Sequence, residues 1–594
     1  MRRRSEPSSF GTRAFAWRAY RGLAPTEQIR RRSMETGLKV SCAADGTPAT
    51  ASIGNSTLRV IAAASIGTVF EWYDFTLYGA LATVIASRFF AGVDSVTGFI
   101  FALLTFGVGF IMRPVGAVVF GRIGDKIGRK RTFLVTIVIM GLSTVGVGCL
   151  PGYASIGIAA PVILIMLRML QGLALGGEYG GAATYVAEHS PARRRGINTS
   201  WISATGTIGL LMSFVVVLAA RALTGEHFET WGWRLPFIFS VLLLLISVLI
   251  RMHMEESPAF QALKSENRLS RAPLTETFLD WANVKRLLVA LFAICGGMTC
   301  VYYTAVLLPT FFLTHTLKVE ATEANVVVTL ATLVCTPLFL VAGWLCDRFG
   351  RKPVLLTSFL LTALTLFPIF HAMTRYANPA LAEAQASVPV WVEADGHTCS
   401  FMFNPTGSRK FTSSCDIARE ALTEAGVSYE TRDAAPGQQA TVHIGAHSLP
   451  AYDTTGLTND DAKARSVMFG ASLRGLLDQA GFPRSASPAR FNRPMVFALL
   501  VLLLALMTLA LVPTAPALVE MFPTRIRYTS MSFPYHFASG WIGGLLPTFS
   551  FALSAQRGNI YFGLWYPVAW IALSFVIAVF FLKETKDVDL SADY

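Results

Sequence analysis

The chain is 594 residues long, 53% apolar, 12% aromatic and only 15% charged, against about 25% charged in an ordinary soluble protein. A mean hydropathy of +0.50 and long unbroken apolar runs, each near the roughly 20 residues that cross a bilayer, exclude a soluble globular chain. The net charge of +13 sits in short clusters between those runs, which is the distribution of cytoplasmic membrane loops and argues against a nucleic-acid-binding face.

Residues 1–57 are polar and arginine-rich, with Arg2, Arg3, Arg4 and Arg30, Arg31, Arg32. They lack the apolar stretch of about 7–15 residues that a secretory signal needs, and read as a disordered cytoplasmic tail with Met34 as an alternative start. Twelve apolar segments are predicted after it. The first six are Leu58–Ser87, Ser95–Phe120, Thr132–Leu150, Ile158–Ala187, Gly196–Ala222 and Trp233–Ile250. A basic connection (252–286) follows. The second six are Leu287–Leu313, Asn325–Cys346, Val354–Thr374, Met495–Val519, Thr529–Leu553 and Ile560–Leu582, and a short tail (584–594) ends the chain.

Alternate loops carry the basic residues. Arg122, Lys126, Arg129, Lys130 and Arg131 lie between segments 2 and 3, and Arg193, Arg194 and Arg195 between 4 and 5. The central connection has Arg251, Lys264, Arg268, Arg271, Lys285 and Arg286, and loop 8–9 has Arg348, Arg351 and Lys352. An even number of spans with both termini cytoplasmic satisfies all of them. The expected fold is therefore an all-α membrane protein of 12 transmembrane helices in two six-helix halves.

The halves repeat. Gly121, Asp125, Gly128, Arg129 and Lys130 recur as Gly343, Asp347, Gly350, Arg351 and Lys352, each set directly after the second segment of its half. Parallel repeats of this kind put a solute cavity between the halves near the midplane. With these loops the chain resembles the major facilitator superfamily, whose signature is Gly-x-x-x-Asp-x-x-Gly-Arg-Arg/Lys. More narrowly it resembles the metabolite:proton symporters, through Glu71-Trp72-Tyr73-Asp74, Arg168 with Gln171-Gly172, Gly176-Gly177-Glu178-Tyr179, Trp231–Phe237 and Glu520–Tyr528. The resemblance implies a multi-pass bacterial inner-membrane transporter working by alternating access. It implies no enzyme and no cofactor, with the proton gradient as driving force and small solutes, protons and lipid as partners. A small organic acid (a dicarboxylate, an oxoacid or a shikimate-like compound) is the first expected substrate. A zwitterionic osmolyte such as proline or betaine is the alternative, and a non-transporting metabolite sensor is the other class.

Charges inside a bilayer cost a few kcal/mol each and persist where they face a cavity or a partner. Glu71 and Asp74, three apart on one helix, are the expected proton-coupling pair, with Asp74 first; their other role would be locking the bundle by pairing with a basic residue. Arg113, Arg168 and Arg234 offer guanidinium forks suited to a carboxylate, with pairing to Glu71, Asp74 or Glu178 the competing role. Gln171, Glu178 and Tyr179 complete the expected substrate-binding set. His536 is a further titratable residue in segment 11, where hydrogen-bonded packing is the commoner use. The resemblance assigns the two Gly/Asp/Arg loops to the cytoplasmic gate, with the aspartates beside helix N-termini, so Asp125→Asn is expected to bias the inward-open and outward-open states.

Residues 375–493 replace what should be a short loop. Counting spans puts them on the periplasmic side. Val388–Val392 and Ala440–Ile444 read as strands, Asp416–Ala425 as a helix capped by Ser414, and a second helix starts from Thr458 and ends before Gly481, giving a small α/β domain. Cys399 and Cys415 close a loop of about 15 residues in an oxidising compartment, so a disulfide is expected. His397, His443 and His447 do not form a metal set. The domain is open to use as a lid, a partner platform or a solute collector. The remaining Cys149, Cys295, Cys300, Cys335 and Cys346 read as small core residues, without metal-site spacing.

Overall fold

The computed structural model describes residues 50–90, 95–400, 402 and 411–590; the expectations for the basic tail before Thr50 and for a start at Met34 lie outside them. Among the described residues nine helices are long and apolar enough to cross a membrane, and ten if Ala321–Cys335 and Leu338–Phe349, bent by 41°, form one span. The places of spans 1 and 11 are held by Thr50–Ala80 and by Arg527–Phe537 with its continuation Ala538–Gly543 and Leu546–Arg557. The eleventh is broken and rich in Ser, Pro and His.

Helices run past the apolar runs at the motif loops. Spans 2 (Ser95–Ile127) and 3 (Arg129–Cys149) are separated by Gly128 alone, as Gly350 alone separates Leu338–Phe349 from span 9, Arg351–Ala377. Both glycines have positive φ, 119° and 106°, which a side chain would strain. The first two amides after each turn are covered by one carboxylate: Glu256 accepts from the N–H of Arg129 (3.0 Å) and Lys130 (3.3 Å), and Glu584 from Arg351 (2.9 Å) and Lys352 (3.0 Å).

Glycines spaced by four bring spans 2 and 4 (Ala159–Glu188) together. A Cβ on Gly172 would lie 2.2 Å from the Gly109 carbonyl oxygen, and one on Gly176 2.2 Å from that of Arg113. Spans 7 (Trp281–Thr316) and 11 instead carry π-helical turns, Ala290–Cys295 and Phe312–Thr316 in one, Ala538–Gly543 in the other, a local unwinding that recurs at functional sites.

The insertion lies at the end of the bundle opposite the motif loops, because it joins the far ends of spans 9 and 10 (Arg493–Met521). Its sheet runs β2-β1-β3-β4, with β1 (Val390–Ala394) parallel to β2 (Glu430–Asp433) and antiparallel to β3 (Thr441–Ile444), which pairs antiparallel with β4 (His447–Pro450). The helix Ser414–Glu424 crosses between β1 and β2, burying Ile417, Ala418 and Leu422. Its cap is Ser413, one residue before the expected Ser414, whose hydroxyl instead receives the Ala440 N–H. Thr458 caps Asn459–Gln479. Cys399 and Cys415 form a disulfide.

The insertion is fastened to the second half. Tyr429 N–H donates to the Gly558 carbonyl and its hydroxyl to that of Ala555, while Ala486 N–H donates to Lys318 O at 2.9 Å. Glu420 faces a crevice walled by Phe311 of span 7 and Pro547 and Phe551 of span 11. Burial, with Glu424 and Asp416 close by, pushes its carboxyl up to about 7.

Two outcomes follow from this packing. Gly172→Ala is expected to lower the thermal midpoint in detergent by an overpacking cost of about 1–3 kcal/mol, whereas Gly79→Ala, with nothing within 4 Å of its Cβ, leaves it unchanged. For Glu420 the folded pKa is raised, so its favourable contribution is complete below the unfolded value near about 4.3 and is lost as pH rises through about 7. Proteolysis of the insertion should therefore be faster at pH about 8 than at about 4.5, and Glu420→Gln should remove that difference.

Candidate functional site: two cross-half locks and a central cavity

At the motif face, two matching clusters join the halves. The buried Asp125 carboxylate accepts from the backbone N–H of Tyr528 and Thr529, both at 3.0 Å, and from the Thr529 hydroxyl at 2.7 Å. These are the first free amides of span 11, so a carboxylate of one half caps a helix of the other. Asp347 repeats this on span 5 (Arg195–Thr224), accepting from Gly196 N–H at 2.7 Å and Ile197 N–H at 2.8 Å.

Buried ion pairs surround each cap. Glu188 lies 2.7 Å from Arg527 and 3.6 Å from Arg129, whose guanidinium also donates to the Thr524 carbonyl at 2.8 Å. In the other cluster Glu520 takes a two-pronged contact from Arg351 (2.9 and 3.0 Å) and one from Arg195 at 3.3 Å. Gly121 and Gly343 let the backbones approach: a Cβ on Gly121 would be 2.7 Å from Thr529 Cα, and one on Gly343 2.8 Å from Ile197 Cα. Above the first lock, span 11 lies on the glycine face of span 4, where the Tyr528 hydroxyl donates to the Gly177 carbonyl. This face is closed in the structure.

Beyond it lies a cavity between the halves. The first half contributes Glu71, Trp72, Arg113 and Tyr179, and the second Tyr302, Tyr303, Tyr535 and His536. Tyr179 and Tyr535 stack across the halves with centroids 3.9 Å apart, and Trp72 lies 6.2 Å from Tyr302. Arg113 sits 4.5 Å over Phe110.

Of the residues singled out for proton coupling and substrate, Glu71, Arg113 and Tyr179 line this cavity. The others do not. Asp74 points into the first-half bundle, accepting from Thr144 (2.7 Å) and Ser240 (2.8 Å); Gln171 donates to the Thr144 hydroxyl at 2.5 Å and accepts from Arg168 at 2.6 Å. The Arg168 guanidinium lies 4.2 Å over Tyr78. Glu178 meets Arg251 at 2.5 Å, and Gly67 leaves room for that guanidinium, its would-be Cβ being 1.8 Å from Arg251 Nη2. Arg234 donates to the Leu150 carbonyl at 3.1 Å and stacks on Trp233. The physical reason is common to all: a polar group in an apolar bundle is stable once partnered inside it, with or without a cavity. The sequence reading did not single out Glu188, Glu256 or Glu584, and it placed Arg195 and Arg251 in loops. Aligning the two halves around the insertion would have paired Glu188 with Glu520 and Arg195 with Arg527.

Two helical halves locked at one face around a largely apolar cavity that holds Glu71, Arg113 and His536 define a membrane transport protein for small solutes. Residues 64–372 match the family described as Major Facilitator Superfamily. A shikimate transporter of Escherichia coli is 37% identical over 52% of this chain and 70% of its own length, and a proline/betaine transporter of Salmonella typhimurium 38% identical over 52% and 63%. Thus the chain spans about two thirds of the length of these relatives. Among solved structures, the proton:xylose symporter XylE bound to 6-bromo-6-deoxy-D-glucose superimposes with a TM-score of 0.54 at 16% identity, over 91% of this chain and 98% of that one. The chain belongs to the Major Facilitator Superfamily, as a multi-pass inner-membrane transporter and not an enzyme.

Gly121→Val should hold the motif face open, since its added methyls meet backbone and have nowhere to go. In a Thr207→Cys background, where the thiol lines the cavity, labelling by a charged maleimide from the motif face should rise at least about tenfold, the equivalent of about 1.4 kcal/mol.

Proposed function

We propose that the protein is a proton-coupled importer of a small carboxylate-bearing metabolite, with the motif face and both termini cytoplasmic and the insertion periplasmic. The observation that carries the reading is that Glu71 and Arg113 line one cavity behind two closed locks. Arg113 supplies a permanent positive charge with a planar donor fork for the solute carboxylate. Glu71 brings a carboxylate to the cavity, able to take a proton with the solute and lose it after the locks open. Asp74, set behind it on Thr144 and Ser240, is the second carboxylate of the coupling path. Basic residues clustered at the motif face support the orientation.

A zwitterionic osmolyte is the second reading. It is favoured by the opposite charges of Glu71 and Arg113 in one cavity and by the rings of Trp72, Tyr302 and Tyr303, which suit an ammonium group.

Purified protein in vesicles with an internal pH dye tests the proposal. Adding the transported acid should acidify the lumen. Arg113→Ala should abolish uptake, and Glu71→Gln should leave solute exchange but remove its dependence on the proton gradient. Gradient-driven uptake that survives Glu71→Gln would contradict this assignment.

A further inference from the structure

His536 sits on the wall of the cavity, in span 11 beside the Tyr179–Tyr535 stack. Its side chain is 1% exposed, and among the described residues neither Nδ1 nor Nε2 has a hydrogen-bond partner. Its near neighbour is the Tyr535 ring, set edge-on at 5.1 Å, which offers the nitrogens nothing. Native proteins rarely bury both polar atoms of a ring unsatisfied, because each forfeits its bonds to water. A neutral imidazole presents one N–H donor and one lone pair, and here both belong to a residue that lines the solute space.

Charge is already supplied on the other half by Glu71 and Arg113. What His536 adds is a neutral donor and acceptor on the opposite half. We propose that His536 reads a hydroxyl group of the solute while Arg113 holds its carboxylate, so that the preferred substrates are hydroxylated carboxylic acids. A hydroxyl both donates and accepts, and so can satisfy either ring nitrogen whichever tautomer is present. A trimethylammonium group does neither and would leave the ring unsatisfied. Bound in this way, one solute bridges the two halves, with its acid end on one and its hydroxyl on the other. The inference rests on the carboxylate reading above and goes on to select within it.

Calorimetric binding to the full-length protein in detergent tests it with three probes: a trihydroxylated cyclohexenecarboxylate, the same ring acid without hydroxyls, and trimethylglycine. The wild type should bind the hydroxylated acid about tenfold more tightly than its bare parent, the scale of one hydrogen bond plus the cost of leaving its partner unmade. His536→Leu should bring the two acids within about twofold, and His536→Gln, which keeps a donor and an acceptor, should restore part of the gap. Unchanged binding of the bare acid to His536→Leu reports that the variant is folded. An undiminished preference in His536→Leu, or tighter binding of trimethylglycine than of either acid by the wild type, would overturn the proposal. Loss of binding of both acids in Arg113→Ala together with an unchanged His536→Leu ratio would refute the hydroxyl assignment and leave the carboxylate reading standing. A wild type that binds neither acid overturns both.

Discussion

The closed face depends on one interaction used twice: a carboxylate of one half filling the free amides at the start of a helix in the other. Asp125 on span 11 and Asp347 on span 5 each accept two backbone N–H groups. Removing water from such a carboxylate is costly, and the oriented amides with the nearby guanidinium repay it only while the halves are in contact. Separated, both the carboxylate and the helix end return to water. The balance between the two arrangements is therefore small compared with either term, which is what a transporter that must open and close requires.

The same accounting explains where the other charges lie. Arg129 with Glu188 and Arg527, Arg351 with Glu520 and Arg195, and Arg251 with Glu178 are partnered in protein. Glu71 and Arg113 line the central cavity. Spans 7 and 11, which supply much of the opposite wall, both contain π turns, and the insertion braces their far ends through Lys318, Tyr429 and Gly558. Cavity lining, helix irregularity and the added domain thus meet on the same two helices.

Much of this was legible in the sequence. The two Gly/Asp/Arg motifs and the repeat of the halves were, because a short pattern recurring at equivalent places has few accidental sources. The facing of single residues was not. Three residues along a helix leave two side chains about 60° apart, enough for Glu71 to reach the cavity and Asp74 to turn into the bundle. Arginine counting placed Arg195 and Arg251 in loops, since a basic residue at a helix end looks alike whether it meets water or a buried carboxylate. The strands Glu430–Asp433 and His447–Pro450 escaped notice because both lie at sheet edges, short and largely exposed. His536 resembled a packing residue until its ring was found without partners among the described residues.

The central claim is that the two aspartate caps hold the motif face shut. It is tested most directly by the distance across that face, between spin labels at the exposed Arg193 of the first half and Arg348 of the second. With the caps intact, a single short distance should dominate. Replacing Asp125 and Asp347 together by Asn should shift most of the population to a longer distance, each single change giving an intermediate mixture. An unchanged distance distribution in the double variant would show that something other than these carboxylates closes the face.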